Sequence, residues 1–294
     1  MSIVVNVNGV ICDSKEATIS VFDHGFLYGA GVYETLRTYN HKPFLFDRHM
    51  TRLRSSGDMI DLALPLSNRE CFERIRQTMD AIEDLDEAYI RLLLTRGVGE
   101  LSYDPTKCVT PSLVIIVKPH VNIQESLLTN GVNVAITSII RNHPASVNPR
   151  IKSNNLLNNA LAMQEALKQD AYEGLMRNYK GDLVECSQSN FFLVHNAVAL
   201  TPAVSDGLLE GITRNFIFEV GKELGIPVRE SALRDADLTT ADEAFLSSTT
   251  REIIPIVKVG PTTIGNGTPG PITKQLLEGL QTKAYAMTAT QGLL

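Results

Sequence analysis

Apolar positions along this 294-residue chain recur with two different periods, and the changes between them mark out the elements. The stretch "IVVNVNGVICDS" reads as strand, turn, strand, with Asn8-Gly9 as the hairpin signal. "GVYETLRTYNHKPFLF" reads as a second hairpin, turning at Asn40-His41-Lys42-Pro43. "DRHMTRLRSSGDMI" predicts a helix with Asp47 as N-cap and Gly57 near its end. "SNRECFERIRQTMDAI" predicts another, capped by Ser67 or Asn68, and "AYIRLLLTRG" and "PSLVIIVKP" are apolar enough for buried strands. A proline and a run of polar residues follow. They predict an interdomain linker over 121–131, with a small α+β domain over 1–120 and a larger domain over 132–294.

The second portion opens with the strand "VNVAITSII". In "NPRIKSNNLLNNALAMQEALK", the residues Leu156, Leu157, Ala160, Leu161, Gln164 and Leu167 recur at helical spacing and predict a buried helix. Strands follow within "GLMRNYKGDLVECSQSNFFLVHNAVALTP", then a helix in "GITRNFIFEVGKELG". Two further strands lie in "AFLSSTTREIIPIVKVG", and a last helix in "PGPITKQLLEGLQTKAYAM". Strands and helices are segregated rather than strictly alternating, which predicts an α+β fold rather than a doubly wound sheet.

Composition narrows the class. Charged residues are 20% and hydrophobic residues 44%, ordinary for a globular protein. The net charge of −6 argues against a nucleic-acid binder, which would carry a basic face, but allows a small basic pocket. No window approaches a membrane span, and the first residues lack the features of a signal peptide. Cys12, Cys71, Cys108 and Cys186 form no CxxC pair and have no close His at metal spacing, so no metal is expected. They read as reduced thiols of a cytoplasmic protein. Neither a GxGxxG fingerprint nor a GxxxxGK[ST] phosphate loop is present.

Four weak signals carry candidate chemistry. Lys152 is a lone ammonium group after Pro149 and Ile151, just ahead of an apolar helix. Glu185 lies in an otherwise apolar strand, where a carboxylate is costly unless a positive group meets it. Gly211, Ile212 and Thr213 open a helix, whose free N–H groups favour an anion. Ser247 to Thr250 are a row of hydroxyls at the end of an apolar strand, and Arg52 and Arg54 sit two apart on one short helix, facing different ways. Taken singly, these are equally a surface lysine, a strand-edge glutamate, an ordinary cap, a polar turn and a solvated arginine. Taken together they match one cofactor. Pyridoxal phosphate needs an amine, a carboxylate for its ring nitrogen, and a cup of N–H, hydroxyl and Arg donors for its phosphate.

The order of the motifs resembles the class IV aminotransferases, the fold-type IV pyridoxal-phosphate enzymes. "FDHGFLYGAGVYETLR", "HMTRL", "TRG", "IKSNNLLNN", "ECSQSNFFLV", "LEGITR" and "STTREIIPI" occur in family order over about residues 3–283. The resemblance implies a two-domain fold with its active site between the domains, a homodimer, and an amino donor and 2-oxo acid as substrates. It implies that Lys152 is the Schiff-base lysine and proton shuttle, and that Glu185 partners the ring nitrogen. Arg52 matches the phosphate arginine of "HxxRL", whereas Arg54 does not. Gly211, Ile212, Thr213, Ser248 and Thr249 would form the phosphate site, and Leu209 would pack against the ring. Tyr33, Thr35, Arg37, Tyr89, Arg91, Arg96 and Thr250 fall where the family places substrate residues. "YIRLLLTRG" and "LEGITRNFIFEVGKELGIPVRESAL" are similar to the branched-chain enzymes. "IKSNNLL" is nearer to the D-amino-acid and lyase patterns, because Leu157 stands where branched-chain enzymes carry a Tyr that donates to the cofactor. The resemblance implies a transaminase for branched-chain or other apolar amino acids, with D-amino acids or (R)-amines as further donors. The alternatives are a D-amino-acid transaminase and an aminodeoxychorismate lyase that releases pyruvate.

Overall fold

The computed structural model describes residues 2–290 and divides the chain into two compact units. The first unit spans Met1–Val121, Ile151–Asn155 and Tyr285–Leu294; the second spans Asn122–Arg150 and Leu156–Ala284. Two points differ from expectation. The linker 121–131 carries a helix, Glu125–Asn130, whose Leu127 packs with Ile123 against the second unit's core. The segment Ile151–Asn155 belongs to the first unit, because it hydrogen-bonds the backbone of that unit's sheet. The last residues of the expected second domain, 291–294, lie outside the described residues.

In the first unit the strands are β1 (Val4–Val7), β2 (Val10–Asp13), β3 (Gly31–Tyr39), β4 (Lys42–Pro43), β5 (Ala88–Thr95) and β6 (Ser112–Pro119). Its helices are α1 (His24–Tyr28), α2 (Phe46–Asp58) and α3 (Asn68–Asp80). The strands form one sheet in the order β2-β1-β6-β5-β3-β4. Asn8 and Gly9 both have positive φ, as a tight two-residue hairpin requires. The alternation along β3 sorts its side chains: Val32 and Leu36 enter a core with Met50 and Leu53 of α2 and Ile75 of α3. Tyr33, Thr35 and Arg37 therefore lie on the opposite face. Helix α3 starts with a reciprocal cap between Ser67 and Glu70, as expected. Helix α2 does not start at an Asp47 cap. Leu45, at φ 51°, turns the chain in, and Asp47 falls in the first turn.

In the second unit the strands are β7 (Val132–Ile140), β8 (Glu173–Arg177), β9 (Leu183–Cys186), β10 (Asn190–His195), β11 (Val198–Thr201), β12 (Val228–Glu230), β13 (Glu243–Ser248), β14 (Glu252–Val259) and β15 (Thr262–Thr263). The helices are α4 (Glu125–Asn130), α5 (Leu157–Leu167), α6 (Ile212–Leu224), α7 (Asp235–Thr240) and α8 (Pro271–Thr290), which continues into the first unit's final segment. The sheet order is β12-β11-β10-β13-β14-β7-β8-β9, and β9 also pairs β10 through Glu185 and Asn190. That pairing closes six strands into a ring around Leu175, Leu183, Phe191, Leu246 and Ile254. No helix among the described residues is long and apolar enough to cross a membrane.

Helix α5 corrects the expected burial. Leu157 is 66% exposed, Leu167 59% and Leu161 40%, while Ala162 and Ala166 are fully buried. The small residues face the sheet because the backbones approach closely. A Cβ at Gly174 of β8 would lie 2.6 Å from the Ala162 carbonyl oxygen and 2.5 Å from Thr137 Cγ2. Gly174→Ala is therefore expected to destabilise the protein by about 1–3 kcal/mol, read as a lowered urea midpoint with unchanged slope.

Candidate active site

Lys152 is held in the first unit by an extended segment laid against β3. Tyr33 N–H donates to the Lys152 carbonyl at 2.9 Å, Asn154 N–H to the Gly31 carbonyl at 2.9 Å, and Lys152 N–H to Ser56 Oγ at 3.1 Å. Ile151 anchors the segment in the core. Helix α5 begins five residues later, at Leu157, so Lys152 lies ahead of the helix on a strand-like stretch. Its Nζ stands 4.4 Å from the centre of the Tyr33 ring, and Arg91 Cζ stands 4.2 Å from the same ring.

Arg52 leaves α2 on the side facing β3, where Glu34 is fully buried. Arg52 Nε donates to Glu34 Oε1 at 2.6 Å and Arg52 Nη2 to Oε2 at 2.9 Å, a forked pair. His49, one turn earlier on α2, pairs its Nδ1 with Glu34 Oε2 at 2.7 Å. Burial alone would raise the Glu34 carboxyl, but Arg52 and then His49 hold it well below the usual carboxylate range. Burial lowers His49, and with Arg52 and Lys152 acting the same way it outweighs the opposing pull of Glu34. The imidazole is thus neutral at pH 7, and its Nδ1–H is the donor to Glu34. Arg54 turns the other way, to Asn68 Oδ1 and the Leu64 and Leu66 carbonyls.

The remaining expected substrate residues of this unit separate into two groups. Tyr33 and Thr35 on β3 and Tyr89 and Arg91 on β5 share one sheet face, with Thr35 opposite Arg91 and Arg37 opposite Tyr89. Arg37 starts on that face, but its guanidinium lies 4.1 Å from the Tyr39 ring and Nε donates to the Thr38 carbonyl. Arg96 is directed elsewhere, onto the Ile60 and Asp61 carbonyls.

In the second unit Glu185 is buried, and both of its oxygens are engaged. Oε1 accepts from Arg141 Nε at 2.5 Å, and Oε2 from the Leu209 N–H at 3.1 Å. Arg141 is itself steadied by Asn158 Oδ1 at 3.1 Å. Register places Glu185, Asn190 and Ser247 in one row across β9, β10 and β13, so the hydroxyl turn begins just beyond Glu185's row. Asn190 Nδ2 donates to the Leu209 carbonyl at 2.9 Å. A Cβ on Gly211 would lie 2.0 Å from Asn190 Oδ1, so a side chain there would force Asn190 to move.

Helix α6 starts from Gly211 with no side-chain cap and no acidic residue in its first turn. Helix α8 offers a contrast. Buried Glu243 accepts from the Ile272 N–H at 2.9 Å and the Thr273 N–H at 2.7 Å, filling that N-terminus from within. The α6 N-terminus thus suits an external anion, in the same unit as the half-buried Ser248, Thr249 and Thr250. The donor set fits pyridoxal phosphate: uncapped N–H groups and hydroxyls for a phosphate, and a buried carboxylate for a ring N–H.

Glu34, His49, Arg141 and Asn190 escaped the sequence reading. Glu34 and Asn190 had a signal, a polar residue inside a buried strand, and Arg141 had only its charge after an apolar run.

A family model described as amino-transferase class IV matches residues 31–259. A protein of Methanocaldococcus jannaschii, provisionally assigned as a branched-chain-amino-acid aminotransferase, is 40% identical over 275 residues, 93% of this chain and 94% of its own. The D-alanine aminotransferase of Listeria monocytogenes is 36% identical over 280 residues, 92% of this chain and 93% of its own. Among solved structures, the branched-chain aminotransferase of the archaeon Thermoproteus uzoniensis with norvaline is similar at a TM-score of 0.89 and 30% identity, covering 97% of this chain and 96% of its own.

Glu34→Gln is expected to cost about 3 kcal/mol at neutral pH, because Arg52 loses its charged partner in a buried place. The sign with pH follows from Glu34's lowered value. Its contribution is present above the ordinary carboxylate value of 4.5 and is lost as pH falls towards the lowered one. Urea titrations from pH 7 to pH 3 should therefore show the gap between wild type and variant narrowing below pH 4.5.

Proposed function

The chain belongs to the class IV aminotransferases, and from that premise we propose that it moves an amino group between a branched-chain or other apolar amino acid and a 2-oxo acid such as 2-oxoglutarate. The observation that carries the site reading is the pairing of buried Glu185 with the Leu209 N–H, two residues ahead of an uncapped helix N-terminus at Gly211. The candidate ring-nitrogen partner on β9 is thereby tied to the loop that opens the candidate anion cradle. The substrate class is supported by the 40% identical relative and by the structural neighbour. A D-amino-acid donor is the second reading, supported by the 36% identical D-alanine enzyme. Leu157 supports it as well, since it offers no hydroxyl and points largely to solvent. The family resemblance also supports a homodimer in the cytoplasm.

When bound, pyridoxal phosphate supplies a carbonyl carbon that takes up the amino group and a ring that draws electrons from the substrate Cα. Lys152 would be the amine that holds the cofactor, and its Nζ would serve as general base and then acid for the substrate Cα proton. Glu185 accepts the ring N–H, with Arg141 and the Leu209 N–H fixing its two oxygens. The Ile212 and Thr213 N–H groups, the Ser248 and Thr249 hydroxyls and Arg52 are the residues that would hold the phosphate. Leu209 packs against the ring. Tyr33, Thr35, Tyr89, Arg91 and Thr250 would receive the substrate, and Arg91, whose guanidinium lies beside the Tyr33 ring, would take its carboxylate.

The test is the visible spectrum of the cofactor-loaded protein before and after L-leucine, and separately D-alanine. Loss of the visible band with L-leucine supports the leading reading. Loss with D-alanine alone supports the second, and no change with either overturns both. Lys152→Ala is expected to lack the lysine-dependent visible band and to lower kcat by about 10²–10⁴, measured with whichever donor the wild type uses.

A further inference from the structure

Glu173, the first residue of β8, is fully buried and takes no part in the chemistry assigned above. Four donors converge on it. Ser187 Oγ lies at 3.2 Å, the Gln188 N–H at 2.8 Å, Ser189 Oγ at 2.9 Å and Arg251 Nη1 at 2.7 Å. They come from two different turns. Residues 187–189 join β9 to β10 and start two residues after Glu185. Arg251 ends the turn that carries Thr249 and Thr250, and its Nε also reaches Ser248 Oγ at 3.3 Å. Asn159 Nδ2 holds the first turn again, through the Ser187 carbonyl at 2.9 Å.

A carboxylate buried this deeply is costly unless its lone pairs are met, and the half-buried Arg251 brings the charge that meets it. Burial works against the Arg251 charge, but Glu173 and Tyr172 together outweigh it and hold the guanidinium protonated more firmly than usual. Neither member can leave without stranding the other. The pair therefore ties the turn that would bind phosphate to the strand that carries the ring-nitrogen carboxylate. Sites of this kind need their groups fixed to about 0.5 Å.

We propose that Glu173 is a positioning residue which, through Arg251, sets the Ser248–Thr250 turn for the cofactor phosphate. The inference rests on the site reading given under the proposed function. Glu173 touches neither cofactor nor substrate. It acts by fixing where the turn's hydroxyls point.

The experiment compares pyridoxal 5'-phosphate with pyridoxal, which lacks the phosphate, by fluorescence titration of the full chain after the cofactor has been resolved away. Wild type, Glu173→Gln and Arg251→Lys are measured. The wild type should prefer the phosphorylated form. Glu173→Gln keeps the shape but turns one of the two acceptor oxygens into an N–H donor and loses the charge opposite Arg251, and should cut that preference about tenfold or more. Arg251→Lys loses the fork and should cut it in the same direction, and it decides the matter if Glu173→Gln does not fold. A lower melting temperature with an unchanged ratio of the two affinities would mean a merely structural role and would overturn the proposal. A wild type that shows no preference would overturn the phosphate-site reading, and this inference with it. A preference in the wild type kept by both variants overturns this inference alone.

Discussion

A carboxylate taken out of water must be met by donors on every side, and the architecture around Glu34, Glu173, Glu185 and Glu243 answers to that demand. Each collects donors from segments far apart in the chain and so fixes those segments together. Glu34 draws Arg52 and His49 of α2 onto β3. Glu173 joins two turns, and Glu185 fastens Arg141 and the backbone ahead of α6. Glu243 satisfies the first N–H groups of α8. The one long helix of the second unit that starts from a glycine without such a group, among the described residues, is α6. Internal anions occupy the places where the fold supplies its own charge, and α6 begins at Gly211 without one.

Much of this was legible in the sequence, and the division between what was legible and what was not has a physical basis. Both hairpins, α3 with its Ser67 cap and the strands around Glu185 follow from local periodicity and turn chemistry, because each depends on residues close in sequence. Lys152, Glu185 and Gly211 stood out as polar or flexible residues where the pattern called for apolar ones. Their partners did not. Arg52 meets Glu34 across 18 residues, Arg141 meets Glu185 across 44, and Gln188 meets Glu173 across 15. A charge's partner is a tertiary fact, and no window in the sequence contains it.

Helix α5 shows a different limit. Its leucines recur with the right period for a buried face, yet the face that is buried carries Ala162 and Ala166. Periodicity reports that a helix has two unlike faces; it does not report which one a sheet with a glycine at the contact can admit. Gly174 makes room for a backbone at close range, and only small side chains fit into so narrow a gap. The leucines are consequently left on the surface, Leu157 among them.

The two arginines of α2 bring these points together. Arg52 and Arg54 are the same residue on the same helix, two positions and some 200° of rotation apart. One meets a buried carboxylate in a forked pair; the other takes an asparagine oxygen and loop carbonyls. Arg54 is spent on closing a turn. Arg52 is aimed by Glu34 along a direction that the sheet, not the helix, determines, since Glu34 can face α2 only if Tyr33 and Thr35 face the other way. The alternation of β3 thereby sets the carboxylate that holds Arg52 on one side of the strand and Tyr33 and Thr35 on the other. A single-residue slip of its register against β5 would exchange the two faces, burying Tyr33 and Thr35 under α2 and leaving Arg52 without the carboxylate that orients it.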